Sequence, residues 1–257
     1  MSKITSVEVV PVQEYISYKF RDWCGPPIDQ LPTYDNTKLV AINTCPLWGI
    51  LRYTHHRTMS IGGRSMALEA GAAAHEVFAA HRLYTFAEFG HEFFGVEREV
   101  IDRVFRETGL RLFGEFRFEE MVGAINPAED FRTRVQQFAL TALYNCGFCD
   151  DPFDKKRTVT NVEEMCLAYM DKYDWRKEMV YWDGANFLGI EVPVDVVIRI
   201  VYTLEEFNRE DYGQQVVALI RFIGKADALH YSDESRDVIR VHENKTASRL
   251  GDAWEIS

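Results

Sequence analysis

Three polar residues near the end of the chain could do chemistry together: Asp227, Glu243 and Lys245. Asp227 lies in GKADAL; a polar stretch, YSDESRD, follows after one His, and then VIRVHENKTAS. Two β-patterned runs around a short polar loop read as an antiparallel hairpin. With the turn centred near Glu234, Asp227 falls opposite Val241. Glu243 and Lys245 then follow Val241 on the same face, because side chains alternate with period two. Diagonal neighbours on such a pair are about 7–8 Å apart, near enough for two carboxylates to share one cation. A one-residue slip would turn one set away, so this chemistry depends on register. Two carboxylates offer hard oxygen ligands to Mg²⁺ or Mn²⁺. A cation there polarises a phosphoryl oxygen and acidifies a bound water. A lysine alongside orients or helps deprotonate that water and offsets charge building on the phosphate. Without a cation the two carboxylates would repel each other.

A second cluster lies upstream. Residues 65–84, SMALEAGAAAHEVFAAHRLY, are Ala-rich, free of proline and apolar at helical spacing, which predicts a helix. Gly71, His75 and Arg82 run along one stripe of it. Taken alone, His75 reads as a satisfied histidine on a packed helix, and Glu69 and Glu76 as solvent-facing helix charges. Before the helix stand Arg52, His55, His56, Arg57 and Arg64. The arginines suit phosphate, or they simply flank a helix start.

Asp227 followed after a hairpin by Glu243-Asn244-Lys245 resembles the D…(D/E)xK signature of the PD-(D/E)XK nuclease superfamily. Gly71-x-x-x-His75-Glu76 on an Ala-rich helix is similar to the N-terminal motif of its RecB-like branch, which includes the RecB nuclease domain, CRISPR-associated RecB-like exonucleases and many phage exonucleases. Cys45-Pro46 with Arg52-Tyr53 resembles the "CP…RY" element upstream in that branch, and Glu191 matches an acidic position often seen there. The resemblance covers residues 43 to 82 and 187 to 250. It implies that Asp227, Glu243 and His75 ligate a metal, that the Asn244 carbonyl completes the set, and that Lys245 is the catalytic lysine. Imidazole suits Mn²⁺ better than Mg²⁺. From their place before the His75 helix, Arg52, Arg57 and Arg64 are read as DNA phosphate contacts, and Glu191 reads equally as a carboxylate behind the ligands or as a structural one. The implied fold is restriction-endonuclease-like: a mixed central sheet flanked by helices. Family members continue past the lysine into a helix carrying Gln and Tyr residues. This chain ends at Ser257, so the expectation is that a longer chain or a partner completes the site.

These residues must be positioned by the remaining elements. Strands are predicted at Ile4 to Val12, Phe187 to Tyr202, Gln215 to His230 and Asp237 to Thr246. Between the His75 helix and the Glu191 strand the pattern is helical, with Asn161 as the N-cap of the last helix. Helices first and strands later predict α+β or α/β. We expect one domain over residues 1–257, with a helical insertion over 86–185. The aromatic stretch FAEFGHEFFG reads as core rather than as a base-stacking platform.

The chain has 257 residues, 47% of them hydrophobic, enough for a substantial core. Its formal net charge of −11 counts against a protein that coats nucleic acid nonspecifically, since that affinity comes from Lys and Arg. It leaves room for an enzyme with a local basic groove. Five scattered cysteines make no disulfide framework. Cys146-x-x-Cys149 with Cys45 and Cys24 or Cys166 could hold an iron–sulfur cluster; the plainer reading is small buried hydrophobes. With no signal pattern and no membrane-length apolar run, the expected setting is cytoplasmic, in a bacterium, an archaeon or a phage-infected host. The expected function is metal-dependent hydrolysis of single- or double-stranded DNA by an exonuclease of recombination, repair or defence, alone, as a homo-oligomer or with a partner protein. The rival is a non-catalytic DNA-binding or assembly subunit that keeps the nuclease fold.

Overall fold

The computed structural model describes residues 2–11, 28–35, 38, 66–172, 179–204, 215–231 and 238–242. It has mixed α+β architecture. Among these residues the strands are β1 (Ser2–Pro11), β2 (Thr33–Tyr34), β3 (Ile190–Leu204), β4 (Gln215–Tyr231) and β5 (Ile239–His242). The α-helices with defined ends are α1 (Met66–Phe94), α2 (Arg98–Phe113), α3 (Glu115–Gly123), α4 (Phe131–Asn145) and α5 (Val159–Lys172). The sheet is mixed, in the order β1-β3-β4-β2, with β5 also on β4. β1 runs antiparallel to β3, β2 parallel to β4 and β5 antiparallel to β4. The chain divides into two compact units, 1–62 with 193–225, and 63–192 with 226–257.

In the first unit β1 pairs with β3 through Val9 opposite Ile198, with a register shift between Ile4 and Ser6. Glu8 sits opposite Arg199 and accepts its hydrogen bond at 3.3 Å. Arg221 donates twice to the Asp195 carboxylate, at 2.8 and 2.5 Å. These hydrogen bonds hold the Asp195 carboxyl below its usual pKa.

The second unit is built on α1, which packs against α2, α4 and α5. From Val77 to Ala87 every residue of α1 is buried. A helix apolar nearly all round belongs in a core, and its alanines let neighbouring helices approach closely. The sequence pattern is helical over 65–84 and again from Phe86; the structure joins the two in one helix as far as Phe94, with Phe86 fully buried and its ring packed with Phe94 and Trp182. FAEFGHEFFG is thus part of the core. Gly114, at φ 77°, separates α2 from α3 in a left-handed conformation that costs a glycine little.

Two local expectations change. The cap of α5 is Thr158, whose hydroxyl accepts the Asn161 N–H at 3.2 Å, while Asn161 itself donates to the Lys156 carbonyl. Glu76 does not face solvent alone: it is ion-paired with Arg117 of α3. Phe138 of α4 has no exposed surface and packs against Tyr84, Phe105 and Phe118. Phe138→Ala is expected to cost about 3–5 kcal/mol of unfolding free energy, read by urea denaturation. A loss under about 1 kcal/mol would contradict this packing.

Candidate metal centre

Three side chains of the second unit converge. His75 comes from the first half of α1, Glu191 from the start of β3 and Asp227 from the C-terminal half of β4. One ligand atom from each, an imidazole nitrogen and two carboxylate oxygens, lies within 4.8 Å of the others. His75 Nδ1 is 3.0 Å from Asp227 Oδ1.

The local sequence explains each placement. His75 follows Ala73 and Ala74, which are buried, and stands half-exposed at the edge of the packed face. Asp227 lies between Ala226 and Ala228, both buried, and is itself only 4% exposed. A carboxylate taken out of water is costly unless paired, and here the imidazole lies beside it. Glu191 is half-buried and has φ 51°, the only non-glycine residue with positive φ among the described residues. Such a backbone costs a residue with a side chain of order 1–3 kcal/mol and tends to persist where function holds it.

The two carboxylates repel each other less when a cation sits between them. An ion with bonds of about 2.1 Å keeps its ligand atoms roughly 3 Å apart in cis and roughly 4 Å in trans. Here His75 Nδ1 and Asp227 Oδ1 are 3.0 Å apart, and all three atoms lie within 4.8 Å of one another. One nitrogen with two carboxylate oxygens suits Mn²⁺ or another imidazole-tolerant divalent ion more than Mg²⁺.

Of the residues expected to form a site, the structure brings together His75, Asp227 and Glu191. A Glu191 carboxylate oxygen lies within 4.8 Å of the ligand atoms of the other two. No periodicity signals this, since its position depends on a backbone angle. Glu243, Asn244, Lys245, Arg52, Arg57 and Arg64 lie outside the described residues. The hairpin register is Ala228 opposite His242 and Leu229 opposite Val241. The expected pairing of Asp227 with Val241 is therefore off by two residues. A shift of two preserves which face each side chain takes, so Asp227 and Val241 still share one.

Cys146 and Cys166 are free thiols. Burial pushes the Cys166 pKa up to about 12. Among the described residues no cysteine joins a group of three metal-capable side chains; Cys24 and Cys45 lie outside them. Arg82, on the His75 stripe, is buried and donates to the Tyr169 hydroxyl at 3.2 Å. No described helix is long and apolar enough to cross a membrane. Compared with family models, with curated proteins and with solved structures, the chain gives no match.

Proposed function

We propose that this chain is a metal-dependent nuclease core of the PD-(D/E)XK type, of the RecB-like branch, hydrolysing phosphodiester bonds of DNA as an exonuclease. The observation that carries the reading is the convergence of His75, Glu191 and Asp227, from segments far apart in sequence, within 4.8 Å. Two of the three were singled out as ligands by their motifs and the third as an accessory acid.

Mg²⁺ or Mn²⁺, when bound, supplies Lewis-acid polarisation of the phosphate and acidification of a water. The chain's residues do the rest. Asp227 and His75 hold the ion from the strand and the helix, and Glu191 adds a second carboxylate. Glu243 directly follows His242, which pairs with Ala228 next to Asp227. We assign Glu243 as a further ligand, with the Asn244 carbonyl beside it. Lys245 orients the attacking water and places its ammonium against charge building on the phosphate. Arg52, Arg57 and Arg64 are the assigned phosphate contacts along the DNA. The acidic balance of the chain favours one rival, a non-catalytic DNA-binding or assembly subunit.

End-labelled single- and double-stranded DNA, incubated with the protein and Mn²⁺, separates the two. Cleavage is expected to require the metal and to fall by about 10²–10³-fold in Lys245→Ala. A product ladder starting at the labelled end would mark an exonuclease. DNA binding without cleavage, with no Mn²⁺ bound, would establish the rival instead.

A further inference from the structure

We propose that Gly189 is a positioning residue that sets the distance between Glu191 and Asp227; the inference rests on reading their cluster as a metal site. Three backbone hydrogen bonds close a ring around it. Leu229 N–H donates to the Gly189 carbonyl, Gly189 N–H to the Tyr181 carbonyl, and Tyr181 N–H to the Leu229 carbonyl, each at 2.8 Å. Leu229 lies two residues beyond Asp227 on β4, and Gly189 lies two residues before Glu191. The ring therefore fastens together the two chain segments that carry the carboxylates.

Between the ring and Glu191 the chain bends sharply. Ile190 N–H donates to the Leu188 carbonyl at 2.8 Å, a three-residue turn centred on Gly189. Glu191 follows at φ 51°. A left-handed glutamate relaxes to extended backbone unless its surroundings over-determine it. The ring on one side and the sheet on the other provide that constraint. Relaxation would carry the Glu191 carboxylate away from Asp227.

Space, not backbone angle, demands glycine here. A Cβ at Gly189 would stand 2.9 Å from Leu229 Cβ, 3.0 Å from the Leu229 carbonyl oxygen and 3.2 Å from that of Tyr181. Both oxygens belong to the ring, so a methyl pushes the ring itself open. The segment is anchored further out as well. The Tyr231 hydroxyl donates to the Trp182 carbonyl at 2.9 Å, and the Trp182 ring packs on Phe86 and Phe94. Opening at residue 189 is thus a local displacement rather than loss of the unit.

The test is Mn²⁺ affinity by calorimetry, with the ¹H–¹⁵N spectrum of the His75 ring as a second readout, for the wild type, Gly189→Ala and Gly109→Ala. The last is the structural control: a Cβ there collides with the Phe118 ring, in the helical core of the same unit. Gly189→Ala is expected to lose about tenfold or more in affinity, as removal of supporting contacts behind metal ligands does, and to move the His75 resonances. Gly109→Ala is expected to melt earlier and bind Mn²⁺ as the wild type does. Wild-type affinity in Gly189→Ala, or equal losses in both variants, would overturn the proposal. If the wild type itself binds no Mn²⁺, the metal reading fails and the His75 spectrum decides: unmoved resonances in Gly189→Ala overturn the positioning role, moved ones retain it. If Gly189→Ala does not fold, Leu229→Gly is measured instead. It loosens the same ring without adding an atom, and unchanged affinity there overturns the proposal.

Discussion

Asp227→Asn is expected to abolish metal-dependent cleavage, by about 10³-fold or more, while leaving the metal-free protein at least as stable as the wild type. The two effects have one cause. Asp227 is buried with a second carboxylate, Glu191, within 4.8 Å. Without a cation, two negative oxygens at that separation and in low dielectric repel each other. Asparagine removes one charge and keeps an oxygen beside His75, so the apo state is at least as stable. The metal loses a ligand and its charge complement. A third measurement links the two. Mn²⁺ at about 100 times its Kd should raise the stability of the wild type by about 2.7 kcal/mol, and should not raise that of Asp227→Asn. Thermal melts with and without Mn²⁺ read this directly. A large loss of apo stability in Asp227→Asn, with unchanged metal binding, would make Asp227 a structural acid.

Acid should weaken this protein from about pH 6.5 downward, and His81→Leu should remove much of that sensitivity. His81 is 3% exposed on α1, next to Arg82 and edge-on to Tyr169. Burial, with the Arg82 charge adding to it, lowers its pKa from 6.5 to about 3. The folded chain thus keeps the imidazole neutral where the unfolded chain protonates it. Stability from this group is whole above pH 6.5 and is lost as the pH falls toward 3. Each pKa unit corresponds to about 1.4 kcal/mol, so the full loss is on the order of 4–5 kcal/mol. Leucine fills similar space and takes up no proton. Urea unfolding of both proteins across pH 4–7 should show curves that converge or cross as the pH falls. Parallel curves would mean that His81 is reached by solvent. Carboxyls such as Asp130, whose hydrogen bond from the Thr133 N–H lowers its pKa, add a separate loss at still lower pH, shared by both proteins.

Much of the architecture is legible along the chain because it is local. The Ala-rich run around His75 forms a helix for reasons contained within a few turns: good helix formers, no proline and apolar spacing. The strands over 190–204 and 215–231 follow from β-branched runs, and their observed ends lie within a few residues of the expected ones. Asp227 stands out by its place before the Glu243-Asn244-Lys245 run, and His75 only by its place in that constellation, since alone it reads as a satisfied histidine on a packed helix. The helical pattern from Phe86 onward is local too; that it continues the His75 helix without a break as far as Phe94 is what the structure adds, with the rings of Phe86 and Phe94 packed on Trp182.

By itself the sequence determined the helical segments and the longer strands, the faces of the hairpin side chains, and the residue types able to bind a metal, but not the short strand β2. A two-residue error in the hairpin register left that face assignment intact, because parity survives a shift of two. Only the tertiary structure decided that Glu191 joins His75 and Asp227. That depends on a positive φ at Glu191 and on a backbone ring linking residues 181, 189 and 229. Neither is encoded by periodicity: both exist because segments remote in sequence press together and hold one backbone conformation against its own preference.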